Sequence, residues 1–120
     1  MEKTVYMSML FDFYGELLTD KQKEYFGLYY NENLSLGEIA EIEGISRQGV
    51  RDNIVRAETT LTETEEKVGL LKRHTLLLEQ IEEAQGYIKQ MAALNQTRFK
   101  NAVLMDLCNK TYDLLEVMKD

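Results

Sequence analysis

Apolar residues in the first eighteen positions recur at helical spacing. Tyr6, Leu10, Phe13 and Leu17 fall four, three and four apart, with Met7, Phe11, Tyr14 and Leu18 alongside. The pattern predicts a helix from about Lys3 to Tyr14 whose wide apolar face is buried, with Gly15 loosening its end. Thr19 followed by Gln22 is a capping box that starts a second helix, running to about Tyr30. Tyr25, Phe26, Tyr29 and Tyr30 line its inner side, and their spacing marks them as core rather than as a base-stacking platform. Asn31, Glu32 and Asn33 read as a loop.

A helix-turn-helix follows. Ser35 with Glu38 is a second capping box, Gly44 is a tight helix stop, and Ser46 caps a helix opening with Arg47 and Gln48. Such spacing sets a short helix against a longer one across a tight turn, a geometry that can push the second helix into a DNA major groove. Ala40 is small where the helices approach, and Ile39, Ile45, Val50 and Ile54 are expected to lock the angle. With Val50, Ile54 and Ala57 inward, Arg47, Gln48, Arg51 and Asp52 face outward. Arg and Gln are the residue types that read guanine and adenine edges with paired hydrogen bonds, and Ser46 or its backbone can meet a phosphate.

The second motif helix has no early stop. Its apolar series Val50, Ile54, Ala57, Leu61, Thr64 and Val68 carries it to about Val68, with Gly69 as stop or kink. A regular seam follows: Leu70, His74, Leu77, Ile81, Ala84, Ile88 and Met91 alternate four and three apart, flanked by charges. This is the pattern of a coiled coil or a tight antiparallel hairpin, and these seven residues are the candidate oligomerisation surface. Asn95, Gln96 and Thr97 look like the break. Thr97 is expected to cap a last helix with Phe99, Val103, Leu107, Leu114 and Met118 on one face and Leu104, Cys108 and Leu115 beside it. The resulting organisation is a helix-turn-helix domain at 1–69 and a two-helix extension at 70–120 that packs on the front domain, on a second copy, or on both.

Composition supports an all-α chain: there is no proline, and the seven glycines fall mostly where helices can end. Charge complicates the motif. The net charge is −7, and residues 1–61 carry six Lys/Arg against eleven Asp/Glu, whereas nucleic-acid binders usually present a basic face. Between Ser46 and Ala57 the balance reverses locally, with Arg47, Arg51 and Arg56 against Asp52. Those arginines either contact nucleic acid or form a solvated face with local ion pairs. No basic-then-apolar leader opens the chain, and no apolar run approaches the roughly 20 residues of a membrane span, so a cytoplasmic location is expected.

Catalytic chemistry is sparse. His74 falls on the apolar seam, where tuning of packing or register is expected rather than ligation. One His and one Cys, far apart in sequence, do not assemble an ordinary zinc site, and Cys108 reads as a buried small hydrophobe. Adjacent carboxylates such as Glu65 and Glu66 point apart on a helix, and no glycine-rich phosphate loop is present. No catalytic residue, metal or cofactor is expected.

Several segments resemble the YlxM family of small bacterial helix-turn-helix proteins: Leu10-Phe11-Asp12-Phe13-Tyr14, Leu17-Leu18-Thr19, Lys21-Gln22-Lys23, Leu28-Tyr29-Tyr30, Ser35 to Ala40, Ser46-Arg47-Gln48, Asp52-Asn53-Ile54 and Glu65-Glu66-Lys67. The resemblance is close over about residues 5–72, and the motif is also similar to the DNA-binding fourth region of bacterial sigma factors. It implies an accessory or regulatory protein of the signal recognition particle pathway whose motif binds nucleic acid, either DNA or the particle's RNA. Ser46, Arg47, Gln48 and Asn53 match the family pattern, and Arg51 adds a cation where tyrosine is usual; Gly49 stands where alanine is usual. The alternative is a dimeric interaction module that docks a basic particle protein through its acidic surface, without DNA contact.

Overall fold

The computed structural model describes all residues 1–120 and consists of helices α1 (Lys3–Tyr14), α2 (Asp20–Tyr30), α3 (Leu36–Glu43), α4 (Arg47–Val68), α5 (Leu70–Leu94) and α6 (Ala102–Val117). It divides into two compact units, Met1–Lys72 and Arg73–Asp120.

In the first unit, local signals set the helix ends. Thr19 Oγ1 accepts from the Gln22 amide at 3.2 Å while Gln22 returns a 3.0 Å bond to the Thr19 amide. Ser35 and Glu38 form the same reciprocal pair, both bonds at 3.1 Å. Gly44 and Gly69 end α3 and α4 at φ 67° and 69°, the left-handed conformation that a side chain strains.

Packing then organises around α4, against which α1, α2 and α3 all lie. Its buried face, Val50, Ile54, Ala57 and Leu61, serves two apolar clusters. Ala57 and Leu61 join Met7, Leu10, Tyr14, Leu18, Phe26 and Leu71, whereas Val50 and Ile54 join Tyr25, Ile39 and Ala40. Tyr30 packs against both. Phe26 stacks nearly parallel on Phe11 with ring centroids 4.9 Å apart and lies 4.5 Å from Tyr30. Of the α2 aromatics that the spacing predicts as core, Tyr25 and Phe26 are buried, and Tyr29 and Tyr30 are half-buried against them.

Two apolar assignments shift in phase. Along α1 and the short 3-10 turn Gly15–Leu17 after it, the buried row is Met7, Leu10, Tyr14 and Leu18, while Phe13 and Leu17 are exposed. Each directly precedes a buried residue, Tyr14 or Leu18, and so lies one position out of phase with the inner row. Ile45 is exposed as well, because it stands in the turn after Gly44 rather than between the helices; Ile39, Val50 and Ile54 are buried without it.

The start of α5 uses residues distant in sequence. Tyr14 donates to Glu65 Oε1 at 2.7 Å and accepts from the Leu70 amide at 3.0 Å. Glu65 in turn accepts from the amides of Leu71 and Lys72, each at 3.0 Å. A carboxylate thus satisfies N–H groups that every helix start leaves without an intrahelical partner, and it lies where the helix dipole favours negative charge. Leu71 is buried in the cluster below, so the first turn of α5 belongs to the first unit.

The second unit is an antiparallel hairpin of α5 and α6. The Gln85 amide donates to the Tyr112 carbonyl at 3.3 Å and to Glu116 Oε2 at 2.9 Å, and the Lys89 ammonium lies 5.6 Å from the Tyr112 ring centroid. Hydrogen bonds from Gln85 and Lys119 hold the Glu116 carboxyl below its usual range. At the closed end the Asn95 side chain brackets the Asn101 backbone, donating through Nδ2 to its carbonyl at 2.8 Å and accepting through Oδ1 from its amide at 2.9 Å. Asn101, not Thr97, caps α6, accepting from the Leu104 amide at 2.9 Å. The Thr97 hydroxyl instead bonds back to Ala93 and Leu94, because α5 runs on through a π turn at Asn95–Phe99.

The heptad seam of α5 is only partly buried. Ile81 and Ile88 are buried on the same face as Gln85, and His74 and Ala84 are half-buried. Leu70, Leu77 and Met91 are exposed, because the buried stripe runs Ile81, Gln85, Ile88 and Asn95 instead. On α6 only Cys108 is buried, and Val103, Leu107, Leu114 and Met118 form an exposed row.

Two outcomes follow. Leu61 is fully buried, so Leu61→Ala should cost about 2–5 kcal/mol in urea unfolding, against well under about 1 kcal/mol for Leu77→Ala on the surface; equal costs would contradict the placement of the core. Glu43 bonds to Glu24 across α2 and α3, and that bond, with partial desolvation and the Glu24 charge, raises the Glu43 carboxyl above its usual range, while Lys21 opposes the rise. A raised folded-state value means that this contribution is present at low pH and is lost as pH rises through it. Glu43→Gln should therefore stabilise the chain at pH 7, by an amount that shrinks as pH falls into the carboxylate range. Melting curves at both ends check this, and a pH-independent gap would refute it.

Candidate nucleic-acid interface

The motif's second helix is presented by its cap and its turn. Ser46 Oγ accepts from the Gly49 amide at 3.0 Å, which fixes the first turn of α4 and leaves the hydroxyl hydrogen available to an acceptor outside. Burial of Val50, Ile54 and Ala57 turns Arg47, Gln48 and Arg51 to solvent on the first two turns. Helix α4 has no acidic residue in its first turn, so the positive end of its dipole is not offset locally.

The five residues singled out in sequence are not equivalent in the structure. The Arg47 guanidinium folds back over the start of α3: a Cβ at Gly37 would lie 3.2 Å from Arg47 Nε and 3.5 Å from Cζ. The absence of a side chain at Gly37 is what allows this close approach. Gln48 donates through Nε2 to Asp52 Oδ1 at 2.9 Å. An ionised carboxylate only accepts, so Asp52 fixes which way round the amide sits and leaves Gln48 Oε1 and a second N–H facing out. That is the donor and acceptor pair complementary to an adenine edge in the major groove. Arg51 is exposed and makes no ion pair.

Asn53 departs from the group. It is half-buried, and its Nδ2 donates to the Gly49 carbonyl at 2.9 Å, one turn back on the same helix. The structure thus brings Ser46, Arg47, Gln48 and Arg51 to one end of α4 and uses Asn53 to brace that turn. Gly37 and Asp52 were missed as positioning residues. The i, i+4 spacing of Gln48 and Asp52 was a readable signal, whereas nothing local in the sequence ties Gly37 to Arg47.

The electrostatic setting is mixed. Arg47, Arg51 and Arg56 lie on exposed turns of α4. Asp52 is half-buried among them, and Glu58 further along is paired with Lys3 at 3.4 Å. The cationic surface is therefore a short strip on a chain of net charge −7. No helix is long and apolar enough to cross a membrane.

Comparison with known proteins agrees with the helix-turn-helix reading of the fold. Residues 1–101 match the family model UPF0122, described as "Putative helix-turn-helix protein, YlxM / p13 like". The chain is 55% identical over 78 residues to the UPF0122 protein TTE1463 of Caldanaerobacter subterraneus, covering 65% of this chain and 67% of that one. It is 49% identical over 90 residues to the UPF0122 protein GK1195 of Geobacillus kaustophilus, covering 75% and 82%. Against the UPF0122 protein lwe1821 of Listeria welshimeri it is 56% identical over 73 residues, covering 61% and 66%. With an all-α fold, a capped helix-turn-helix and relatives at this level of identity, the chain belongs to the UPF0122 family of YlxM / p13-like helix-turn-helix proteins.

Proposed function

We infer that this protein binds nucleic acid through the first two turns of α4 and serves as an accessory or regulatory factor of the signal recognition particle pathway. The observation that carries the binding reading is the convergence of Ser46, Arg47, Gln48 and Arg51 on one exposed helix end, in a chain whose charge is otherwise acidic. Arg51 and Gln48 are the base-reading candidates, Arg47 and Ser46 meet phosphate, and Asn53 and Asp52 position the turn. The pathway assignment is supported by the resemblance to the YlxM family, and the ligand on that reading is DNA or the particle's RNA. Because the strip is short, affinity depends strongly on each cation. Arg47→Ala with Arg51→Ala should weaken binding and reduce the slope of log K against log salt by about two. Titrations at several salt concentrations measure this, and an unchanged slope would sink the reading.

A protein-docking role is favoured by a different observation, the exposed apolar side chains of the second unit. Leu77 and Met91 on α5, and Val103, Leu107 and Leu114 on α6, lie open. On this reading the helices pair with a second copy, and the acidic surface meets a basic particle protein. Leu77→Lys with Met91→Lys, both at exposed positions, should halve the mass measured by light scattering without unfolding the chain. A wild-type chain that is monomeric at micromolar concentration would exclude the pairing.

A further inference from the structure

Beside the motif, the first unit holds a cleft of about 200 Å³, lined by Lys3 at the start of α1, Tyr29 and Tyr30 from α2, Leu36 from α3, and Arg51, Ile54, Val55 and Glu58 from α4. Its charges are unevenly used. Tyr30 donates its hydroxyl to Glu58 Oε2, and Lys3 Nζ lies 3.4 Å from the same oxygen. Burial and the Glu58 carboxylate push the Tyr30 phenol far above its ordinary range, so the hydroxyl remains a donor. Glu58 is therefore neutralised and held by residues of two other helices. Arg51 is left as the one unpaired charge at the cleft. A planar guanidinium at a cleft that Tyr29, Tyr30, Leu36, Ile54 and Val55 also line is complementary to a carboxylate, which it binds through two parallel hydrogen bonds. The volume is below the roughly 300–1,000 Å³ of ordinary ligand pockets and holds about ten non-hydrogen atoms.

We propose that this cleft binds a small organic monocarboxylate with a branched or aromatic apolar body, its carboxylate on Arg51 and its body against Tyr29, Leu36 and Val55. Occupancy withdraws Arg51 from the nucleic-acid face, so the ligand acts as an effector that weakens binding. Only this coupling rests on the function proposed above; the pocket does not.

The test is a methyl-resolved NMR titration of the full chain with benzoate, and with benzamide as its neutral isostere, without nucleic acid. Benzoate should shift the Leu36, Ile54 and Val55 methyls saturably, with a dissociation constant of about a millimolar, and benzamide should bind at least about tenfold more weakly. Arg51→Gln, a change at an exposed position, should reduce benzoate to the benzamide level while leaving the remaining spectrum in place. Unsaturable shifts, equal response to the two probes, or benzoate binding that survives Arg51→Gln would each overturn the site. Saturating benzoate should then lower the affinity of the unmodified chain for nucleic acid and leave that of Arg51→Gln unchanged. Equal effects on both chains would overturn the coupling, and failure of the unmodified chain to bind any nucleic acid would sink the functional reading instead.

Discussion

Everything in the first unit depends on one strip of α4. Val50, Ile54, Ala57 and Leu61 follow each other at four, three and four residues, and each is buried. The upper pair closes the cluster under the motif, and the lower pair closes the cluster over α1 and α2. Burial of Val50, Ile54 and Leu61 contributes about 1.5–3 kcal/mol each, and Ala57 less. The same strip fixes the rotation of α4 about its axis, and so decides which residues of its first two turns reach solvent. Exposure of Arg47, Gln48 and Arg51 is in this sense a consequence of core packing.

Much of this was legible because it is written locally. The capping pairs Thr19–Gln22 and Ser35–Glu38, the stops at Gly44 and Gly69, and the cap at Ser46 all act within a few residues of themselves, and each forms. The inward set Val50, Ile54 and Ala57 needed only helical periodicity. Failures lay where an apolar residue has apolar neighbours on both flanks. On α1 and α5 the pattern is too broad to choose a phase by itself, and the neighbouring helices choose it. Thr97 and Asn101 show a second kind of failure. Both residue types can cap, and the choice went to Asn101 because Asn95, six residues earlier, locks its backbone.

The candidate site shows the same division. Which residues face out was readable; what each does there was not. Asn53 turns back to its own helix, Gln48 is steered by Asp52, and Arg47 lies along a glycine ten residues earlier. Three side chains of matching chemistry thus have different degrees of freedom. Arg51 keeps the most: it is exposed and makes no ion pair. Arg51 stands both on the motif and at the neighbouring cleft, so on the proposed readings one charge serves two surfaces.

The junction at Tyr14, Glu65 and the amides of Leu70 to Lys72 has a consequence for how α5 begins. A helix ordinarily carries its own start signal, so exchanging the helix exchanges the signal. Here Tyr14 of α1 and Glu65 of α4 supply part of that signal, so the first turn of α5 is fixed by the fold of the first unit as well as by its own sequence.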